Sequence, residues 1–390
     1  MRTTCENNTL TIYLEGRIDS NNAAENDKEI AEAVAANTDA HLAIDAEHLE
    51  YISSAGLRVL MKLRKSAGKP LPVLNVSSEV YEIFDVTGFT EMLDVKKKLR
   101  EVSVEGCECI GQGATASVYR IDRETIVKVF KPNAGMEIIR QENERSKNAF
   151  LSGIPTAISY DTVKVGDCFG TVFELLDARD FLSVLENDKA HLDDHISLFA
   201  KAMHRMHQIE VDPAKFPPTK QGSLAVLPRL AGVCGEEEIG KLRRLYESVP
   251  DRSTFIHGDS HPGNVMVQDG QFLFIDLMTC GSGHPVFDLA SMCSAYHMPP
   301  KFGDRKMSPL LRYFTEEECA RIWKVYLASY LETENKDLIE RAEKQITAVS
   351  AARTLFATVF LPGLLPADRI EQLKRTALAY VDGGLEPLCF

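Results

Sequence analysis

Long apolar runs are absent from this sequence of 390 residues. Crossing a bilayer takes about 20 consecutive apolar residues, whereas the apolar stretch at residues 355–365 is shorter and contains Pro362. Residues 1–6 lead into no apolar region of the kind that signal peptides carry. We therefore expect a protein that does not span a membrane and that is located in the cytoplasm.

Basic residues are also fewer than acidic residues. The chain has 44 Lys and Arg against 57 Asp and Glu, which gives a net charge of -13 at pH 7. A general nucleic-acid-binding protein needs a basic surface that contacts phosphates, so we expect no nucleic-acid partner. An acidic chain is compatible with a small cationic substrate.

The sequence has no regular cysteine framework. Its nine cysteines are an odd number, and Cys107 and Cys109 are spaced too closely for the usual CxxC metal-binding knuckle. We expect reduced thiols with a structural role only, as is usual in the cytoplasm. The composition, 44% hydrophobic and 26% charged, is globular, and the length favours two or three domains.

Short apolar runs alternate with amphipathic stretches over about the first 98 residues. Strands are predicted at residues 10–14, 42–45 and 71–76, and helices at residues 21–36, 57–63 and 80–86. This alternation favours an α/β sandwich with mostly parallel strand pairing. The charged run KKKLRE at residues 96–101 is typical of a solvated helix end or a linker, which predicts a domain boundary between about residues 98 and 105.

The residues with the clearest chemistry stand in the run HGDSHPGN at residues 257–264, called the catalytic loop below. Asp259 and Asn264 lie on this loop, and Asp276 follows the apolar run at residues 272–275. One carboxylate can orient a hydroxyl nucleophile and accept its proton, while the amide and the second carboxylate can hold Mg²⁺ against phosphates. The pattern therefore indicates ATP chemistry.

A glycine-containing hairpin and a strand with one lysine come earlier in the chain. Gly111 and Gly113 precede a run of small residues, which suits a hairpin that closes over phosphates. Lys128 lies in the apolar strand predicted at residues 125–130, at the distance from the glycines that kinases use. This lysine needs an acidic partner from the helix predicted at residues 138–151. Glu142 and Glu144 are the candidates, and we prefer Glu142 because it lies nearer the face of the apolar residues that begin the helix.

The order of these elements resembles the aminoglycoside phosphotransferase and choline kinase-like superfamily over about residues 105–390. The resemblance implies a bilobal α+β protein-kinase-like fold, with a β-rich N-lobe at about 105–176 and a mainly helical C-lobe at about 177–390. The motif HGD at residues 257–259, where eukaryotic-type protein kinases have HRD, separates the chain from those kinases. Residues 1–100 then form a separate α/β domain.

The resemblance assigns a role to each residue of the site. Asp259 is the expected catalytic base, Asn264 and Asp276 are the expected Mg²⁺ ligands, and Lys128 is expected to hold the phosphates while Glu142 holds Lys128. Mg²⁺ and ATP are the implied cofactors, with GTP as an alternative to ATP, and the acceptor is a hydroxyl group of a small molecule.

Other residues are expected to support this centre. The resemblance makes residues 171–177 the hinge between the lobes, where backbone groups of Glu174 and Leu176 meet adenine. His257 is expected to brace the catalytic loop and His261 to lie beside the pocket. Asp288 is expected to cap a helix and to tie down the loop.

Residues 51–60, together with GRID at 16–19 and VTGF at 86–89, resemble the STAS domain of anti-sigma factor antagonists over about residues 5–98. In that family a serine at the start of a helix is phosphorylated, which changes partner binding. Ser54 is the matching position, with Ser53 in place of the common Asp. Two interpretations of Ser54 stay open, a regulated phosphorylation site or a serine that caps the helix of a docking domain.

Three functions follow from these patterns. The first is a phosphotransferase that acts on a hydroxyl of a small molecule and carries a regulatory or docking STAS domain. The second is a protein-serine kinase that acts on Ser54 of the same or another chain. The third is a nucleotide-sensing signalling scaffold without turnover.

Overall fold

A computed structural model describes residues 1–6, 8–68, 71–113, 115–132, 134–298 and 313–390. The chain divides into two compact units, Met1–Ser103 and Val104–Phe390. The predicted helical C-terminal segment begins at about residue 300, so its first part lies outside the described residues. Among the described helices, none combines the length and the apolar character that a membrane span requires.

The first unit is built on a five-stranded sheet. Its strands, in sheet order, are Arg2–Glu6, Thr9–Ile18, His41–Ile52, Pro72–Val76 and Asp94–Lys97. The first strand pairs antiparallel and the others pair in parallel. The predicted α/β fold with mostly parallel pairing is therefore confirmed.

Helices cover this sheet because the strands alternate buried and accessible residues. The helices are Ala23–Ala36, Ser54–Ala67, Ser78–Val86 and Phe89–Met92. Leu10 and Ile12 of the sheet are buried in one core with Leu57 and Leu60 of the second helix. Burial of such side chains contributes about 1.5–3 kcal/mol each before the entropy of folding is counted.

The charged run at residues 96–101 was predicted as a helix end or a linker, and this is wrong for its first part. Asp94–Lys97 is a strand that pairs with Pro72–Val76. Lysines suit such an edge strand because their charged ends stay in solvent and discourage pairing with other chains. Lys98 makes an ion pair of 3.1 Å with Glu47.

Ser53, rather than Ser54, caps the helix Ser54–Ala67. The Ser53 Oγ accepts hydrogen bonds from the backbone N–H groups of Ala55 at 3.2 Å and Gly56 at 3.5 Å. Ser54 is the first helical residue and its side chain is exposed. The interpretation of Ser54 as the capping serine is therefore wrong, since a residue inside the first turn cannot reach these donors as the N-cap residue does.

These neighbouring serines make a matched pair for mutation. We expect Ser53→Ala to lower the local free energy of unfolding of the helix by about 1 kcal/mol, because two backbone N–H groups lose their acceptor. Ser54→Ala should change it by less than about 0.5 kcal/mol. Amide hydrogen exchange in the helix measures both, and equal effects would contradict the assignment of the cap.

The second unit opens with a sheet of antiparallel strands. Its strands from this unit are Glu108–Gln112, Ala116–Arg120, Thr125–Phe130, Ser159–Val165 and Cys168–Glu174. Cys168–Glu174 pairs with both Thr125–Phe130 and Ser159–Val165. The helix Met136–Leu151 contacts the sheet and contributes Ile139 to its core.

The remainder of the second unit is mainly helical. Its longer helices are Phe181–Asn187, Leu192–Met206, Thr219–Val226, Glu236–Glu247, Val286–Met292, Glu316–Tyr330, Lys336–Leu355 and Ala367–Asp382. The predicted capping box opens Glu316–Tyr330, where Thr315 and Glu318 exchange side chain to backbone hydrogen bonds. A β-rich lobe followed by a helical lobe confirms the predicted kinase-like architecture.

Two short strands in the helical lobe position the catalytic loop. Val265–Gln268 and Gln271–Phe274 form a hairpin directly after the loop. Phe255–Ile256, directly before it, pairs with Gly281–Ser282. The loop and Asp276 are therefore held at both ends by backbone pairing.

Candidate active site

A cleft of about 1430 Å³ lies within the second unit and gathers most of the predicted residues. The predicted residues that line it are Gly111, Gly113, Lys128, Glu142, Glu174, Leu176, Asp259, His261, Asn264 and Asp276. Three others lie elsewhere. His257, the first residue of the catalytic loop, and Asp288 are buried, and Ser54 belongs to the first unit.

Lys128 lies between two carboxylates. Its Nζ is 2.6 Å from Glu142 Oε1 and 3.1 Å from Asp276 Oδ1. Of the two glutamates considered from the sequence, Glu142 is the one in contact. Burial by itself would lower the pKa of Lys128, but the two carboxylates outweigh it and raise the pKa. The ammonium group is therefore charged at neutral pH and is held over the cleft.

Asp259 and Asn264 are joined within the catalytic loop. Asn264 Nδ2 donates to the Asp259 backbone oxygen at 2.9 Å and to Asp259 Oδ2 at 3.2 Å. Since the Asn264 amide nitrogen donates to Asp259, its side-chain oxygen is available for another partner. The Asp259 side chain is partly accessible and lines the cleft.

His261 stands next to the Asp259 carboxylate. Burial lowers its pKa although Asp259 opposes this shift, so the ring is neutral at neutral pH. Its Nδ1 accepts a hydrogen bond from Gly263 N–H at 3.0 Å, which leaves the proton on Nε2. His261 Nε2 is 3.7 Å from Asp259 Oδ2, on the same oxygen that Asn264 contacts.

Asp288 fixes the backbone that leads to Asp259. Its carboxylate accepts hydrogen bonds from His257 N–H at 2.8 Å and from Gly258 N–H at 2.7 Å. His207 Nε2 lies 3.0 Å away, and Tyr330 contacts the other nitrogen of this ring at 2.8 Å. His207 is therefore a buried, hydrogen-bonded core histidine. Asp288 therefore makes the contact with the catalytic loop that the sequence predicted.

The other half of the Asp288 prediction is wrong. The helix Val286–Met292 begins after Pro285 without a side-chain cap, and Asp288 lies inside its first turn. From there the carboxylate points toward the catalytic loop and not toward the free N–H groups of the helix. Burial by itself would raise the pKa of Asp288, but the hydrogen bond from His207 and the nearby histidines lower it.

Asp288→Asn is expected to lower the free energy of unfolding of the second unit by about 3 kcal/mol. All hydrogen bonds that the Asp288 carboxylate accepts come from N–H donors. The amide nitrogen of an asparagine at this position would itself be a donor and would face one of them. Trp323, the one tryptophan of the chain, is buried in this unit and reports its unfolding by fluorescence. Asp251→Asn, at an exposed position, is the control, and equal losses would contradict the prediction.

The pH dependence of the same variant has a defined sign. A carboxyl with a lowered folded pKa contributes stability above its unfolded pKa of about 3.9, and this contribution is lost as the pH falls through the folded pKa. The difference in stability between the wild type and Asp288→Asn should therefore shrink below about pH 4.

Two backbone conformations shape the site. Asp276 has φ +61°, a region that most side chains avoid and that aspartate tolerates. Gly258 has φ +83°, and a Cβ at this position would lie 2.4 Å from the Thr279 carbonyl oxygen. Glycine is therefore required directly before Asp259.

The residues present fit a magnesium ion. Asn264 and Asp276 supply amide and carboxylate oxygens, the ligands that Mg²⁺ prefers. The Ile275 N–H donates to the Asn264 carbonyl at 2.9 Å, which ties the two ligands together through the backbone. Within the described ranges, no cluster of three or more His, Cys, Asp or Glu could hold a metal by itself. Such a set suits a metal that also binds substrate phosphates.

The predicted hinge lies at the end of the strand Cys168–Glu174. Glu174 Oε1 accepts from Ile158 N–H at 2.7 Å, so this side chain is engaged within the protein. Leu175 N–H donates to the Glu124 carbonyl at 2.6 Å. Leu176 N–H has no acceptor in the part of the chain that the structure describes, and the residue lines the cleft. A free donor of this kind can contact a nucleotide base.

Two arginines at this site were not predicted. Arg145 of the helix Met136–Leu151 donates to the Met278 carbonyl, shortly after Asp276. Arg353 of the helix Lys336–Leu355 donates to the Gly258 carbonyl at 2.7 Å. Sequence spacing could not find either contact, because the partners lie far apart in the chain and the pairs belong to no short motif.

Comparisons with protein families agree with this geometry. The sequence model of the phosphotransferase enzyme family matches residues 107–323, and that of the STAS domain matches residues 1–102. Both resemblances drawn from the sequence are confirmed. A comparison with curated proteins gives no match.

Solved structures with a similar fold are distant in sequence. A choline/ethanolamine kinase family protein from Mesorhizobium loti has 14% identity and a TM-score of 0.48, over 71% of this chain and 92% of that chain. An ADP-bound aminoglycoside phosphotransferase has 13% identity and a TM-score of 0.45, over 78% of this chain and 99% of that one. A macrolide 2'-phosphotransferase from Brachybacterium faecium has 13% identity and a TM-score of 0.39, over 70% and 90%.

Proposed function

Because the chain belongs to the phosphotransferase enzyme family, we propose that it transfers the γ-phosphate of Mg-ATP or Mg-GTP to a hydroxyl group of a small molecule. One observation carries this proposal. The cleft of the second unit holds the Lys128–Glu142 ion pair, the Asp276 carboxylate and the joined pair of Asp259 and Asn264. These are the groups that phosphoryl transfer requires, placed around one space.

Each of the groups that line the cleft has a defined role in this reaction. Leu176 N–H and the Glu174 carbonyl contact the base, and the hairpin with Gly111 and Gly113 covers the phosphates. Lys128 binds phosphate oxygens, for which Glu142 holds it in place. Mg²⁺, bound through Asn264 and Asp276, would neutralise charge on the phosphates.

Asp259 orients the acceptor hydroxyl and accepts its proton at Oδ1. Asn264 contacts Oδ2 and His261 lies next to the same oxygen, so Oδ1 is left to face the acceptor. No covalent intermediate is needed, and the rate comes from positioning and from neutralised charge.

The STAS domain is proposed to dock a partner protein and to regulate the kinase. Ser54 is exposed at the first position of its helix, where the helix dipole favours an anion. A phosphate on Ser54 is therefore physically favourable, and its charge would alter a docking surface.

The test is ADP or GDP release from Mg-ATP or Mg-GTP against a panel of hydroxyl acceptors. The panel contains aminoglycosides, choline, homoserine-like amino alcohols and neutral sugars, with Asp259→Asn as the control enzyme. Release that depends on one acceptor and on Asp259 supports the proposal. Nucleotide binding without any release in the whole panel would favour the non-catalytic scaffold.

A protein-serine kinase is the second candidate, favoured by the exposed hydroxyl of Ser54. Its test is incubation of the chain with Mg-ATP followed by mass spectrometry of the peptide that contains residues 53–58, with Ser54→Ala as the control. Absence of phosphate on Ser54 in the wild type excludes this function for the chain acting on itself.

A further inference from the structure

Arg353 reaches the catalytic loop from a helix that follows the matched family region. It lies near the end of Lys336–Leu355, beyond the family match that ends at residue 323. Its Nη2 donates to the Gly258 carbonyl at 2.7 Å, and Gly258 directly precedes Asp259. The contact thus acts on the peptide unit that carries the proposed base.

The N–H groups on either side of this carbonyl are held as well. The Gly258 N–H donates to Asp288 Oδ1 at 2.7 Å, and the Asp259 N–H faces His257 Nδ1 at 3.3 Å. For the Gly258 carbonyl, Arg353 is the one donor among the described residues. Removing the arginine would leave this end of the peptide without its anchor while the other contacts remain.

Asp288 and Arg353, the two residues that hold Gly258, lie on helices that pack against each other. The helix with Arg353 packs on the helix Val286–Met292, which carries Asp288, and Ser350 Oγ donates to the Ala290 carbonyl at 2.9 Å. Ser350 also contacts Ser294 at 2.7 Å. Since the two helices are joined, the distance between the Asp288 carboxylate, which holds the Gly258 N–H, and the Arg353 guanidinium, which holds the Gly258 carbonyl, is fixed.

We propose that Arg353 is a positioning residue that sets the orientation of Asp259, an inference that rests on the proposed function. Glycine has the widest backbone freedom of any residue, and Gly258 adopts φ +83°. An anchor at its carbonyl restricts rotation of the Gly258–Asp259 peptide and with it the direction of the carboxylate.

The test compares Arg353→Gln and Arg353→Lys with Arg341→Gln. Arg341 lies on the same helix, and its side chain contacts Glu386 and Pro387 of the C-terminal segment, so it controls for the lost charge. Hydrolysis of Mg-ATP without acceptor gives kcat and KM, and amide hydrogen exchange follows the peptide at residues 257–264. Thermal unfolding is recorded for each variant.

We expect Arg353→Gln to lower kcat by about 10- to 100-fold, because a displacement of about 1 Å can cost this much. KM for ATP should change less than about threefold, since the nucleotide contacts lie elsewhere. Exchange in the loop should rise, Arg353→Lys should be intermediate, and Arg341→Gln should match the wild type. If Arg353→Gln fails to fold, the lysine variant provides the same comparison.

A double variant separates positioning from general damage. If Arg353 acts through Asp259, adding Arg353→Gln to Asp259→Asn should cost less than about twofold further, whereas independent effects multiply. A fully multiplicative loss, or loop exchange equal to that of Arg341→Gln, overturns the inference. Absence of ADP release from the wild type with every acceptor of the panel would instead contradict the proposed function, and the exchange measurement would still decide whether Arg353 orders the loop.

Discussion

Asp259→Asn is expected to lower kcat by about 10²- to 10⁴-fold, the usual contribution of a general base. Nucleotide affinity should stay within about threefold, since Asp259 is assigned no contact with the nucleotide. The substitution keeps the shape of the side chain and removes its capacity to accept a proton. It also leaves the Asn264 contact with the Asp259 backbone oxygen in place, so the loop should keep its form.

The measurement is ADP release at saturating Mg-ATP, with calorimetric titration of a non-hydrolysable ATP analogue for binding. Asp382→Asn is the matched control, because Asp382 pairs with Lys241 on the surface and has no part in the cleft. Activity of the Asp259 variant above about a tenth of the wild type would remove this residue as the base.

Asp276→Asn is expected to lower kcat by about 10²- to 10³-fold at millimolar Mg²⁺, the usual cost of losing one electrostatic contact to the reacting group. The concentration of Mg²⁺ at half-maximal activity should rise at least about tenfold, because a neutral amide is a weaker ligand for a divalent cation. Lys128 would also lose one of the two carboxylates that raise its pKa.

The two variants distinguish the metal ligand from the base. Asp259→Asn should reduce turnover without changing the Mg²⁺ requirement, whereas Asp276→Asn should change both. A titration of ADP release with MgCl₂ at fixed ATP makes this comparison. An unchanged Mg²⁺ requirement in Asp276→Asn would show that Asp276 is not a metal ligand.

Several features of this protein could be predicted because they depend on neighbours in the sequence. Alternating short apolar runs and amphipathic stretches predicted the sheet and the helices of the first unit. The capping box of Thr315 and Glu318 is a local signal of the same kind. Such patterns are readable because a strand or a helix repeats its geometry over a few residues.

Other predictions failed where a contact between residues far apart in the chain outweighed the local pattern. Strand pairing made Asp94–Lys97 part of the sheet although its lysines suggested a linker. Phe360 and Leu355 are both apolar and close in the chain, yet Phe360 is 57% exposed while Leu355 is buried. Phe360 instead lies against Arg229, whose guanidinium is 5.1 Å from the ring centre. Apolar character alone does not say which helix face meets the core.

The sequence by itself determined the order of the phosphotransfer motifs, the α/β character of the first unit and the identity of the residues in the catalytic loop. Each depends on short spacings that survive in the linear chain. Only the tertiary structure decided that Glu142 contacts Lys128, that Asp288 holds the loop by two backbone N–H groups, and that Arg353 reaches the Gly258 carbonyl. These contacts join elements far apart in the chain, and helix packing sets their distances.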